Sequence, residues 1–291
     1  MNPLLSSSPF TLSSEQIRAY HDDGFIVIED VFSPGEVEVL RAAEASPAIQ
    51  SALEEGGIKT KTVHLLELTV RHPAFFDLAR DPRIVAAIQP LLGENIQLQH
   101  SKLATKPVTK GTGAFGWHQD LMYYPHTNTA LLSVFVYLDD ATPENGCMSM
   151  VRGSHKLGPL SHLDDRNVFV GVCRETHLWE NNPGQVIPVS PRAGSISIHH
   201  CLTLHGSPAN HSGRPRRGVV FSYRADDAYQ LGDNIFRDTG LMVSGRRQGI
   251  IRCEERSWEL PLRDNAGRKD YGNAFHQIGE WAEALNHQAD L

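Results

Sequence analysis

The chain has 291 residues, 40 % hydrophobic and 21 % charged, with a formal net charge of −7. This is the composition of an ordinary folded protein, and the acidic balance argues against non-specific grip on nucleic acid, which calls for a basic excess. The length fits one large domain, and no internal repeat or linker divides it.

A first helix is predicted over residues 12–22, with Ser13-Ser14 offering the N-cap. Gly24-Phe25-Ile26-Val27-Ile28 then reads as a short strand. Ser33-Pro34 opens a second helix, serine as cap and proline in the first turn, running through Val37, Leu40 and Ala43. Residues 46–62, small and polar with Gly56-Gly57, read as a loop or short helix. His72-Pro73 and Asp81-Pro82 start helices at 73–80 and 82–92, the latter with Ile84, Ile88, Leu91 and Leu92 at helical spacing. Pro90 should distort or shorten its last turn, and Gly93 should close it.

From residue 95 the period becomes two. Residues 96–100 and 101–106 alternate, and 107–113 form a loop leading to Gly116-Trp117-His118-Gln119-Asp120. Leu131 to Leu138 is the most apolar strand, and Pro143-Glu144-Asn145-Gly146 turns it into Cys147–Val151. Residues 155–185 are irregular and read as an insertion over one end of a barrel. Strands resume at 185–188, 194–198 and 217–223. Many short strands between Gly/Pro turns point to a sandwich or barrel. Residues 226–291 are polar and irregular, with a late helix at 273–286.

Cys147, Cys173, Cys201 and Cys253 form no C-x-x-C pair, so reduced thiols are expected rather than a disulfide framework or structural zinc. Met1 to Ser8 carry no secretion signal, no apolar run reaches bilayer length, and Ala289-Asp290-Leu291 is not a peroxisomal signal. A cytoplasmic protein with neither membrane nor nucleic acid as partner is expected. Oligomeric state is not legible.

His118 and Asp120, at i and i+2, share a face if the strand stays extended. With His205, in Leu204-His205-Gly206-Ser207, they make two imidazoles and a carboxylate, the facial set of non-heme Fe(II) oxygenases. A zinc hydrolase could use the same ligands, and a non-catalytic cupin-like binding protein could keep the fold alone. Arg216 follows at the start of the next strand, where a guanidinium could hold the far end of a dicarboxylate by two hydrogen bonds.

These words continue in order: Gly24 to Ile28, Lys106-Pro107, Trp117-His118-Gln119-Asp120 with Tyr123-Tyr124-Pro125, Glu144-Asn145-Gly146-Cys147, Arg152-Gly153-Ser154-His155-Lys156, His205-Gly206-Ser207, Asn210 and Arg216. Over roughly residues 12–225 the chain resembles the phytanoyl-CoA dioxygenase family of Fe(II)/2-oxoglutarate-dependent oxygenases. The resemblance implies a mainly β fold, a double-stranded β-helix (jelly-roll, cupin-like) core over 95–225 with helices of 12–93 packed outside. It implies iron at His118, Asp120 and His205, and 2-oxoglutarate at Arg216, with Lys102 and Ser207 nearby. A glutamine faces the active site of several relatives six positions before the lysine of Lys106-Pro107; this chain has His100 there, with Gln99 beside it. Where some relatives carry a pocket tryptophan, the counterpart is Val136. Asp120 stands where halogenating cousins have Ala or Gly, so hydroxylation is expected.

The resemblance further implies O2 as co-oxidant, ascorbate as an accessory reductant, and hydroxylation of an unactivated C–H bond with release of succinate and CO2. The substrate would be a small organic acid, phosphonate, natural product or acyl-CoA. His100, Lys102, Trp117, Tyr123, Arg224 and Val136 are the pocket candidates. Lys102 and Arg224 would meet an anionic group, unless Lys102 serves oxoglutarate and Arg224 pairs with Asp226 or Asp227. Lys106, Lys110 and Lys156 would form a basic rim for CoA phosphates. His199 and His200 read as packing residues, and His155 as structural.

Overall fold

The computed structural model describes residues 11–55, 63–232 and 235–257. The helix expected at 273–286 lies outside the described residues.

The N-terminal third is helical: α1 (Ser14–Asp23), α2 (Pro34–Glu44), α3 (Pro47–Glu55), α4 (Leu68–Arg71), α5 (Pro73–Leu78) and α6 (Pro82–Leu92), interrupted by strands β1 (Phe25–Ile28) and β2 (Val63–Leu66). Ser13 and Ser33 cap α1 and α2, each in a reciprocal box with the residue three positions on, Gln16 and Glu36. Such caps typically stabilise a helix by about 1 kcal/mol. The 46–62 segment supplies α3, while α4 and β2 add to the elements expected. Pro90 does not cut α6 short; the helix continues to Leu92, and Gly93 closes it by donating to the Gln89 carbonyl.

The rest is β: β3 (Ile96–Lys106), β4 (Phe115–His118), β5 (Leu131–Tyr137), β6 (Met148–Val151), β7 (Val186–Val189), β8 (Ile196–His200), β9 (His205–Ser207), β10 (Arg216–Ala225) and β11 (Leu241–Ser244), with a short helix α7 (His177–Glu180) between β6 and β7. They form two antiparallel sheets. The major sheet runs β1-β8-β5-β10-β3-β11, with β2 also on β3; the minor sheet runs β4-β9-β6-β7. This is the double-stranded β-helix expected. The expected strands at 96–100 and 101–106 are one strand, and β9 and β11 are additions.

One face of the major sheet carries Leu103, Leu132, Val134, Val136, Ile196, Ile198, Val219 and Phe221, packed against helix residues such as Leu40, Phe75, Leu78, Ile84 and Ile88. Each such burial contributes about 1.5–3 kcal/mol, so this layer is the main stabilising core. The other face looks toward the minor sheet. Phe25, Phe135, Tyr137, Met148, Met150 and Val220 fill one part of that interior. The remainder is polar and contains the site. Among the described residues no helix is long and apolar enough to cross a membrane.

Candidate metal and oxoglutarate site

His118 ends β4 and His205 begins β9, and the two strands pair with these residues opposite each other. Their ring centroids lie 4.1 Å apart. Asp120 is not on the strand, as the i, i+2 argument assumed, but opens a 3₁₀ turn, Asp120–Met122. Gln119 between them stays extended (φ −111°, ψ 131°), so the carboxylate still turns toward the imidazoles. Gln119 is itself pinned: its backbone N–H donates to His162 Nε2 (3.0 Å), and its amide donates to the carbonyls of Gly158 and Leu202. His118, Asp120 and His205 thus offer ligand atoms all within 4.8 Å of one another.

The tautomers suit a metal. His118 Nδ1 donates to the Gly116 carbonyl at 2.8 Å and His205 Nδ1 to the Thr203 carbonyl at 2.9 Å, leaving both Nε2 lone pairs convergent. Burial pushes both imidazoles toward the neutral form, His205 to about 4 and His118 well below its ordinary value. Burial, the largest single influence, would raise Asp120, but the hydrogen bond from His199 together with the nearby His205 and Lys102 outweighs it and holds the carboxyl well below the usual range. Two neutral imidazoles and one carboxylate oxygen are a donor set for a divalent ion with positions left open.

Strand β10 sends Arg216, Gly218, Val220, Ser222 and Arg224 to the interior face. Arg216 is buried, 4 % exposed, and its Nη1 donates to the Gly146 carbonyl, while Nε has no partner among the described residues. Burial lowers it to about 10, so it stays charged at neutral pH. Gly146 must be glycine: its φ is +72°, and a Cβ would lie 2.4 Å from the Pro208 carbonyl oxygen. The ring of Phe135 occupies the space a Gly218 side chain would need, 1.9 Å from that Cβ position, and lies 5.8 Å from the Arg216 guanidinium carbon. A desolvated guanidinium with an idle N–H fits a carboxylate.

On β3 a bulge between Ser222 and Tyr223 in the pairing register puts Leu98 opposite Tyr223 and His100 opposite Ser222. Gln99 and His100, adjacent in sequence, therefore both face the interior, where His100 Nδ1 meets Gln99 Oε1. Gln99 is consumed by the 230–236 segment, its amide donating to Gln230 (2.9 Å) and the Phe236 carbonyl (3.0 Å). His100 Nε2 is buried without a partner among the described residues. It borders a cavity of about 300 Å³ with Leu66, Thr69, Ser101, Ile235 and Thr239. Lys102 reaches into the same interior, its ammonium 5.6 Å from the Phe236 ring. Burial lowers its pKa while Asp120 draws it back up.

Several expected pocket residues are placed elsewhere. Val136 belongs to the opposite face, in the core against the helices. Trp117, one position from His118, points to the other side of β4 and stacks on Trp179 at 5.2 Å. Arg224 faces inward but is spent on Asp238 (2.6 Å), Gln97 and the Ala228 carbonyl; the carboxylate is neither Asp226 nor Asp227. Lys106 forms no rim: it is 0 % exposed and donates to the carbonyls of Gly113 and Pro208. Lys156 lies 3.7 Å from Asp22. Tyr123 stays beside the ligands, its ring 5.5 Å from His118 and its hydroxyl on the Gly171 carbonyl at 2.5 Å, so the 155–185 segment does pack at this end. Ser207 shares the β9 face of His205. His155 Nε2 meets the His21 carbonyl, and His200 Nδ1 accepts from the Leu202 N–H.

Two residues escape a reading of the sequence. His199, expected only to pack, places Nε2 3.1 Å from Asp120 Oδ2. His64 on β2, half-buried near Lys102 and Arg216, sets its ring tilted against Phe115 with centroids 5.0 Å apart. The i, i+6 spacing of His199 and His205 across a tight return was the available signal for the first; the second had none.

Two antiparallel sheets enclosing a two-histidine, one-carboxylate cluster define a cupin-like oxygenase. A sequence model of the phytanoyl-CoA dioxygenase (PhyH) family matches residues 20–218, and the chain belongs to that family. It is 35 % identical over 268 residues to a Stutzerimonas stutzeri protein named probable alpha-ketoglutarate-dependent hypophosphite dioxygenase, covering 86 % of this chain and 91 % of that one. It is 30 % identical to the ectoine dioxygenase of Bordetella bronchiseptica over 74 % of this chain and 76 % of the relative. The crystal structure of EctD from S. alaskensis with bound Fe superposes with a TM-score of 0.63 at 25 % identity, covering 87 % of this chain and 92 % of that one. The protein is an Fe(II)/2-oxoglutarate-dependent dioxygenase, using iron, 2-oxoglutarate and O2 on a small-molecule substrate. Neither a zinc hydrolase nor a non-catalytic binder is favoured.

Proposed function

We propose that His118, Asp120 and His205 hold the iron, that Arg216 holds the distal carboxylate of 2-oxoglutarate, and that the substrate is a small oxyanion. With both bound, iron and oxoglutarate supply O2 activation, one oxygen atom entering the substrate and the other leaving in succinate. The chain's part is to hold the imidazoles neutral, to offer Arg216 and to position the target bond.

The observation that carries the substrate class is Lys102. No carboxylate among the described residues pairs with it, although it is desolvated and lies on the face that looks toward Asp120. A half-buried, partly desolvated ammonium without a counter-charge favours a ligand that supplies one. Iron and oxoglutarate carry opposite double charges, which leaves the carboxylate of Asp120 against the two cations Lys102 and Arg216 among the described residues of the site, and an anion completes the balance. Burial of Lys106 removes one of the three lysines expected to form a basic rim for a CoA ester. The hypophosphite named for one relative supports phosphorus oxyanions, with P–H or C–H bonds to oxidise, as first candidates.

A succinate-release screen across hypophosphite, alkylphosphonates, small carboxylates, neutral analogues and CoA esters tests this reading. Stimulation by one of the small anions is expected; stimulation confined to neutral compounds or CoA esters would refute it. Four free cysteines, three of them buried, support a reducing compartment such as the cytoplasm.

A further inference from the structure

The two imidazoles of the cluster are fixed by backbone carbonyls of their own strands and loops, but the carboxylate is fixed from the opposite sheet. Asp120 Oδ2 accepts from Ser133 Oγ at 2.8 Å and from His199 Nε2 at 3.1 Å. Ser133 and His199 are register partners on the antiparallel pair β5 and β8, which sets their side chains next to each other on the interior face. Ser133 Oγ is backed by Ser222 Oγ at 2.9 Å, and Ser222 by the Tyr124 hydroxyl at 3.3 Å. All of these residues are buried.

Oδ1 has a different environment. It faces His118 Nε2 at 3.7 Å and His205 Nε2 at 3.9 Å, too far for hydrogen bonds and suited to co-ligands around a common ion. His199 donates through Nε2, so its proton sits there, and Nδ1 is buried without a partner among the described residues. Its ring also packs against His205, with centroids 4.6 Å apart. An imidazole enclosed in this way has little freedom to release Oδ2.

Resting on the ligand set proposed above, we infer that His199 is a positioning residue: with Ser133 it occupies Asp120 Oδ2, so that the carboxylate offers the metal Oδ1 alone. One coordination position, which a two-oxygen carboxylate would fill, is thereby kept for cosubstrates. Outer partners of metal ligands typically account for 10–100-fold in metal affinity.

The test is anaerobic titration of the full chain with Fe(II), and with Mn(II) as an oxygen-stable probe, alongside the visible band of the Fe(II)–2-oxoglutarate complex and the melting of the metal-free protein. His199→Phe keeps a ring but loses the donor; it should weaken Fe(II) binding about 10–100-fold and alter the band. His199→Gln, whose amide N–H can reach the same oxygen, should restore most of both. Unchanged metal affinity and band in His199→Phe overturn the inference, whatever happens to its melting. If His199→Phe does not fold, Ser133→Ala carries the test, and wild-type affinity with an unchanged band there overturns the clamp. Asp120→Ala separates the two levels: full metal affinity in that variant sinks the ligand reading itself. Loss in Asp120→Ala without change in His199→Phe sinks only the positioning role.

Discussion

At the end of the interior built by β4 and β9, the polar atoms of the candidate ligand cluster already have protein partners: Gly116 and Thr203 hold the imidazoles, and Ser133 and His199 hold the carboxylate. At the end built by β3 and β10, Lys102 lies half-buried with no carboxylate partner among the described residues, and Arg216 has one carbonyl and an idle Nε. The difference teaches where preorganisation is complete and where a ligand finishes the structure. An ion needs a fixed set of lone pairs before it arrives, whereas a desolvated cation is satisfied only when the anion binds.

The comparison is broken most severely at the ligand end. His118→Ala, Asp120→Ala or His205→Ala should each abolish substrate-dependent succinate formation, a loss on the order of 10³-fold or more if the metal is the source of catalysis. Full activity in any one of them removes that residue from the ligand set.

At the cationic end the effects should be on affinity. Arg216→Lys keeps the charge but loses the paired N–H geometry. Loss of charge-assisted hydrogen bonds costs about 1.5–3 kcal/mol, so KM for 2-oxoglutarate should rise about 10–100-fold. Steady-state kinetics with 2-oxoglutarate as the varied substrate check this. Lys102→Met should instead raise KM for the substrate anion by about 10-fold and leave KM for 2-oxoglutarate nearly unchanged, since one buried charge pair is lost. Equal effects on both would mean that Lys102 and Arg216 serve the same ligand.

A pH profile sharpens the same contrast. Burial, opposed by Asp120, places the Lys102 ammonium below the ordinary lysine value, so it loses its proton at lower pH than an exposed lysine would. Anion affinity should therefore be present at low pH and fall as pH rises through that lowered value. The limb should vanish in Lys102→Met. Smallest for catalysis is Val136→Ala: it removes methyl groups from the helix-facing core and should cost about 1–3 kcal/mol of stability, read by denaturant unfolding, with kcat unaltered.

Much of this was legible in the chain. Ser13, Ser33, Pro34 and Gly93 mark helix ends because capping is local chemistry. The strand at 131–138 announces itself by its unbroken apolar run. His118, Asp120 and His205 could be grouped because few residue types ligate iron. Less legible were the sides on which residues fall. Trp117 is one step out of phase with His118, and Val136 one step out of phase with Phe135, so adjacency in sequence became opposition in space. The strands β2, β9 and β11 are only three or four residues long, and they form by pairing with partners distant in sequence.

The sequence by itself determined the kind of chemistry: which side chains can ligate a metal, which can hold a dicarboxylate, and an alternating pattern that folds into two sheets. Only the tertiary structure decided that Arg224 is spent on Asp238, that a bulge turns both Gln99 and His100 inward, and that His199 stands opposite Ser133 to grip Asp120. The physical reason is that local propensity acts over a few residues, whereas sheet register and charge neutralisation are set by partners tens to hundreds of residues away.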